Sequence, residues 1–182
     1  MNGRPQFGSV TPRILGELVR GSPGLAAVDA VLEAVGPDFR QPNRDPTGLR
    51  WQMRRGSRCE FAIVDPPEAL TSFCRQVGAR HDLPPMVGLF LTAVPRGKGG
   101  QAYHTDTGTP RYFTLLFDVL GRGRGTQFEG TSRRAAFGEF ALFDGTCVHR
   151  GVRNTGPTAR VFVSATFHDP QFADPNVFSG AP

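Results

Sequence analysis

A chain of 182 residues and 19.7 kDa is long enough for one real core and short for two. With 38% hydrophobic and 20% charged residues, and 15 Phe to fill an interior, wholesale disorder is excluded; apolar runs such as Val87 to Val94 are strand-length, below the ~20 residues of a membrane-spanning helix. The net charge is +5, and all but one of the 21 basic residues are Arg, the exception being Lys98.

The opening segment, MNGRPQFGSVTPR, has no apolar stretch of the signal-peptide kind, and Cys59, Cys74 and Cys147 form an odd set without a CxxC. These features predict an intracellular, cytoplasmic chain without a disulfide framework or structural zinc site. Residues 1 to about 12 read as a flexible arm. A short helix is expected over Arg13 to Arg20. A second follows the Ser22-Pro23 start signal, with apolar residues at 25, 28, 31, 32 and 35, and stops at Gly36-Pro37. Phe39 to Gly48 is a loop. Leu49 to Met53 and Arg58 to Val64 read as two strands turned at Gly56-Ser57. Asp65-Pro66-Pro67-Glu68 starts a helix that turns Leu70, Phe73, Cys74 and Val77 inward and ends near Gly78.

After Pro84-Pro85 the pattern changes to short β-like runs between glycine-rich turns: Val87 to Val94, Arg111 to Leu120, Thr126 to Phe128, Glu139 to Phe143, Cys147 to Val152 and Ala159 to Phe167. The expected class is α+β, mainly β, with an antiparallel sandwich or barrel. One domain is expected over 1–182: a supporting and substrate-selecting part at 1–86, a core at 87–169 and a tail at 170–182.

Four histidines occur, and two of them keep informative company. On an extended segment residues i and i+2 point to one side, so His104 and Asp106 can reach one ion. His149, 45 positions later on another strand, can complete a facial two-histidine, one-carboxylate set, which leaves open metal positions and suits non-haem Fe(II). Arg160 follows a turn at Asn154-Thr155-Gly156-Pro157, and a hairpin there would return its guanidinium beside His149 to hold a carboxylate. His81 and His168 are expected to be structural or solvent-facing, and Cys147 a small buried filler.

Over Val87 to Asp169 the chain resembles the Fe(II)/2-oxoglutarate-dependent dioxygenases, in particular their prolyl-hydroxylase-like branch. The resemblance runs through Pro95-Arg96-Gly97-Lys98-Gly99, Tyr103-His104-Thr105-Asp106, Arg111-Tyr112-Phe113-Thr114, Gly125-Thr126-Gln127-Phe128, Gly138 to Asp144, His149 and Arg160 to Phe167. It implies a double-stranded β-helix (jelly roll) carried on N-terminal helices. It makes His104, Asp106 and His149 the catalytic iron ligands and Arg160 the anchor of the cosubstrate's distal carboxylate. Thr114 and Ser164 match positions lining the cosubstrate pocket. Fe(II), 2-oxoglutarate and O2 are the implied cofactors, with ascorbate as a stimulant. Val94 and Asp118 stand where related prolyl hydroxylases often place tyrosines, the latter bonding the cosubstrate. Asp106 favours hydroxylation or demethylation, because related halogenases have a small residue there.

The implied activity is hydroxylation of a C–H bond of a protein side chain (prolyl-type) or a small metabolite, with release of succinate and CO2. Two other readings compete. Arg40, Arg44, Arg50, Arg54, Arg55 and Arg58 have only Asp45 as an acidic neighbour within their stretch; this raises a nucleic-acid oxidative dealkylase, although a solvated basic face explains the same cluster. A non-catalytic jelly-roll binding module is the third. The loops Gln41 to Gly48 and Pro95 to Gln101 are candidates for a substrate rim. Oligomeric state is not legible from these features.

Overall fold

The computed structural model describes residues 3–10, 50–55, 58–62, 68–94, 96–97, 100–120, 125–158 and 160–169. The helices expected at 13–20 and 25–35, the loop at 41–48 and the tail at 170–182 lie outside them. Among the described residues the order is β1 (Gln6–Ser9), β2 (Arg50–Arg55), β3 (Arg58–Ala62), α1 (Glu68–Arg80), β4 (Met86–Val94), β5 (Phe113–Leu120), β6 (Thr126–Phe128), β7 (Glu139–Asp144), β8 (His149–Gly151) and β9 (Arg160–Phe167). Seven strands form one antiparallel sheet in the order β1-β7-β5-β9-β4-β3-β2, and β6 pairs with β8 in a second, two-stranded sheet. The chain is mainly β, as expected.

The large sheet has two unlike faces, and alternation along its strands assigns each residue to one. Leu115 pairs with Leu142 and Ala165, and Phe117 with Phe140 and Val163, all buried. This outer face receives α1. Phe73 meets Phe117 and Phe140 edge-on at 5.8 and 6.1 Å between ring centres. Gly78 lies where any Cβ would come within 2.8 Å of the Phe167 ring, so the absence of a side chain lets α1 sit close to the sheet. Burial pushes the Cys74 thiol up to about 12, making it an inert part of this core.

The opposite, inner face carries Thr114, Leu116 and Asp118 of β5, paired in register with Thr166, Ser164 and Phe162 of β9. Phe143 and Ala141 of β7 continue it. Over its end lie Phe128 of β6 and Phe7 of β1, whose rings meet edge-on at 6.0 Å. A polar row inside a sheet sandwich is costly unless each member is paired, so it marks the working side of the molecule.

Two expectations are corrected. The arm at residues 1 to about 12 is not wholly unstructured: Gln6–Ser9 adds to β7, and the Gly3 N–H donates to the buried Asp144 Oδ2 at 3.2 Å. Packing of Phe7 between strands outweighs the glycine and polar content that reads as loop. The turn after His149 is not a hairpin either. β8 and β9 belong to different sheets, and 152–158 arches between them, pinned where Asn154 Nδ2 donates to the Val94 and Thr158 carbonyls at 2.9 Å each.

Candidate metal centre

His104 and His149 face each other as a hydrogen-bonded antiparallel pair. Each N–H donates to the other's carbonyl at 2.9 Å, so the segment bearing His104 extends the small sheet along β8. Pairing of this kind puts both side chains on one face, and the imidazole centres are 4.6 Å apart. On its other side His149 is in register with Phe128. Phe143 from the large sheet meets the His149 ring at 4.7 Å, so apolar rings bury this imidazole to 6% exposure.

Both imidazoles are oriented through Nδ1. His104 Nδ1 lies 3.0 Å from the Ala102 carbonyl, and His149 Nδ1 lies 3.0 Å from the Cys147 carbonyl. A carbonyl only accepts, so Nδ1 carries the proton in each bond and Nε2 presents a lone pair. A backbone acceptor behind the ring is the usual support of a metal-binding histidine. Asp106, two residues past His104, turns Oδ1 to 3.5 Å from His149 Nε2 and 3.9 Å from His104 Nε2. One ligand atom from each of the three residues lies within 4.8 Å of the others. Two imidazole nitrogens and one carboxylate oxygen are a donor set that would hold a divalent transition-metal ion.

The carboxylate is itself positioned. Thr114, buried on β5, donates Oγ1–H to Asp106 Oδ2 at 3.3 Å, leaving Oδ1 toward the imidazoles. The loop behind Asp106 rests on Gly145: the Gly108 N–H donates to the Gly145 carbonyl at 2.9 Å. A Cβ at Gly145 would collide with Thr107 Oγ1 and come within 2.7 Å of the Thr109 carbonyl. Gly145 is a positioning residue that the sequence reading missed. Its one signal was a glycine between a strand end and the strand bearing His149.

Arg160 opens β9 opposite Val94, on the same inner face as Ser164, Thr114 and Asp118. It is buried, stacks at 4.6 Å over Phe162, and is not unattended. Its Nε donates to Asp118 Oδ1 at 2.8 Å, and its Nη2 forms an ion pair with the same oxygen at 2.7 Å. Burial raises the Asp118 pKa, and the charge and hydrogen bonds of Arg160 pull it down only in part. The cavity beside the pair, bounded by Leu116, Thr126 and Ala141, measures about 10 Å³, room for about one water. Asp118 was foreseen as a departure from a family position, but its pairing with Arg160 was not. The signal was a lone carboxylate in the apolar strand FTLLFDVL, which must find a cation when buried.

The structure thus brings together His104, Asp106, His149 and Thr114. It places Arg160 further along the same face, Thr114 and Asp118 being four residues or about 13 Å apart on β5. Ser164, in register with Leu116, falls between them. His168 is buried, stacked on Tyr112 at 5.7 Å, with Nδ1 bonded to the Asp169 carbonyl, a structural role as expected. Cys147 packs with Phe128, Ala141 and Phe143. Burial, with Asp144 and Asp106 adding to it, pushes its thiol to about 11, which disfavours the thiolate a metal would need.

No protein-family model matches the chain, and no curated protein matches it in sequence. Solved structures do match in fold. A prolyl hydroxylase from Trichoplax adhaerens, solved with a hypoxia inducible factor peptide fragment, aligns over 92% of this chain and 84% of its own at 11% identity and TM-score 0.61. HygX from Streptomyces hygroscopicus, with nickel and 2-oxoglutarate bound, aligns over 92% and 83% at 9% identity and TM-score 0.56. The viral collagen prolyl hydroxylase of Paramecium Bursaria Chlorella virus-1, a 2-oxoglutarate complex, aligns over 92% and 98% at 12% identity and TM-score 0.55. This chain shares their fold. Among the described residues no helix is long and apolar enough to cross a membrane.

Proposed function

We propose that this chain is an Fe(II)- and 2-oxoglutarate-dependent dioxygenase that hydroxylates a C–H bond of a protein side chain or a small metabolite. The observation that carries this reading is the convergence of His104, Asp106 and His149, each imidazole held through Nδ1, between two sheets of a fold that also occurs in 2-oxoglutarate-bound proteins. On this reading the two sheets are the halves of a double-stranded β-helix. Two neutral imidazoles and one carboxylate fit Fe(II) in number and kind. Arg160 fits the distal carboxylate of a 2-oxo diacid in charge and in the face it occupies, with Asp118 and Val94 as departures. Thr114 and Ser164 line the stretch between. Two of the structural relatives are prolyl hydroxylases, one of them solved with a peptide, which makes a protein side chain the first substrate class to test.

When bound, iron and 2-oxoglutarate supply an O2-dependent oxidation that releases succinate and CO2 and delivers one oxygen atom to the substrate. The chain's part is orientation and exclusion of water. The Ala102 and Cys147 carbonyls fix the two rings, Thr114 holds the carboxylate, and Phe128 and Phe143 shield the His149 side.

An anaerobic titration of Fe(II) and then 2-oxoglutarate into the metal-free protein tests the reading through the visible charge-transfer band of a chelated 2-oxo acid. The band is expected in the wild type, absent in His104→Ala for want of metal, and shifted to higher 2-oxoglutarate concentration in Arg160→Ala. Metal binding without a band would remove the cosubstrate assignment. No metal binding would leave a non-catalytic binding module.

A further inference from the structure

The cation assigned to the cosubstrate is already held by a carboxylate of the chain itself. Arg160 Nε, through a hydrogen bond, and Nη2, through an ion pair, converge on the single oxygen Asp118 Oδ1. The two side chains are 5% and 7% exposed. Among the described residues, those around them are neutral: Val94 from β4, Thr126 from β6, Ala141 from β7, Phe162 from β9, and Ala135 from the loop before β7. Among the described residues that line this cavity, Arg160 and Asp118 are the ionisable pair, and together they are neutral.

A dicarboxylate seated against Arg160 upsets that balance. Its distal carboxylate would put a second anion on one guanidinium, beside the carboxylate that Arg160 already holds. Two carboxylates sharing one buried site cannot both stay ionised cheaply, and the proton affinity of one rises strongly. We infer that Asp118 is a specificity-determining residue of the anion site: a dicarboxylate binds there with uptake of one proton from solvent, held between its distal carboxylate and Asp118. The inference rests on the dioxygenase reading above. Burial already raises the Asp118 pKa, partly offset by Arg160, and a second carboxylate on the same guanidinium raises it further.

The sign of the pH dependence follows. Asp118 binds a proton more tightly in the complex than in the free protein. Between those two pKa values affinity falls about tenfold for each unit that pH rises; below both values it is flat. A 2-oxo monoacid of the same chain length brings no second carboxylate and takes up no proton.

Calorimetric titration of 2-oxoglutarate into the Ni(II)-loaded full chain, in two buffers of different ionisation enthalpy, reads the proton directly. The wild type is expected to take up close to one proton with 2-oxoglutarate and none with the monoacid. Asp118→Asn is expected to take up none, to bind independently of pH, and to bind about tenfold tighter at the alkaline end, where the competing charge matters most. Uptake of no proton by the wild type overturns the inference, and that measurement stands even if Asp118→Asn does not fold. Wild-type uptake persisting in Asp118→Asn overturns it equally. In either case the dioxygenase reading survives, since 2-oxoglutarate has bound. A chain that loads Ni(II) but takes no 2-oxoglutarate in either form sinks that reading, and the inference with it.

Discussion

At the scale of the residue, the centre depends on atoms that never touch an ion. The sequence marks His104 and His149 by the His-x-Asp spacing together with the motifs around them; the Ala102 and Cys147 carbonyls that orient them leave no mark in it, because a backbone acceptor has no residue signature. Thr114 is the clearest case of a supporting side chain, since its hydroxyl bonds Asp106 Oδ2 and leaves Oδ1 for the imidazoles. Replacing it by Val keeps the β-branched shape and removes the donor. Supporting bonds of this kind are worth about 10- to 100-fold in metal affinity. The loss in Thr114→Val should lie near the lower end, about tenfold, because Asp106 is 30% exposed and water can take the donor's place. Stability should change by no more than about 1 kcal/mol for the same reason. Parallel Ni(II) titrations and denaturant melts check both numbers. Unchanged affinity would mean that Asp106 is positioned by its loop and not by Thr114.

At the scale of the element, legibility followed the strength of local patterning. The strands β4, β5, β7 and β9 were placed within two residues, because each is a long apolar or alternating run between glycine-bearing turns, and α1 was placed by its proline-bearing start and inward stripe. β1 was missed, since four residues with one glycine have too little pattern of their own and pair only because β7 offers an edge. The arch at 152–158 was misread as a hairpin because turn residues report a change of direction without saying which sheet receives the next strand. The loop carrying Asp106 belongs to the same class, as its position comes from docking on Gly145. In Gly145→Ala the added Cβ meets Thr107 and the Thr109 carbonyl, and backbone cannot move aside as a flexible side chain would. Overpacking of this kind costs about 1–3 kcal/mol. The loop is expected to lift, taking Asp106 with it. Metal affinity should therefore fall more than tenfold, more than in Thr114→Val, while the far-ultraviolet circular dichroism keeps its wild-type form. A stability loss with wild-type metal affinity would show that the loop finds Asp106's position by itself.

At the scale of the whole molecule, the two faces of the large sheet divide the work. The outer face, with Leu115, Phe117, Leu142, Val163 and Phe167 against α1, is apolar and self-sufficient. The inner face spends its burial on Thr114, Asp118 and Arg160, groups that stabilise little when paired and cost much when not, and the small sheet turns His149 toward it. The small sheet closes over that face through few strands, and His104 and His149, 45 positions apart, meet there through two backbone hydrogen bonds. An ion held by His104, Asp106 and His149 would add a tie through their side chains, because it binds only the folded arrangement. At a free metal concentration 100 times the dissociation constant, binding adds about 2.7 kcal/mol, and in a chain of this size each kcal/mol moves the midpoint by about 2–4 °C. Ni(II) or Mn(II) should therefore raise the melting temperature by about 5–10 °C, and a chelator should reverse the shift. His149→Ala should abolish it, and Ca(II), which prefers six to eight oxygen ligands, should produce little. Differential scanning fluorimetry with these additions distinguishes the cases. A rise of equal size in His149→Ala would place the stabilising ion elsewhere on the chain and leave the inner face without its proposed tie.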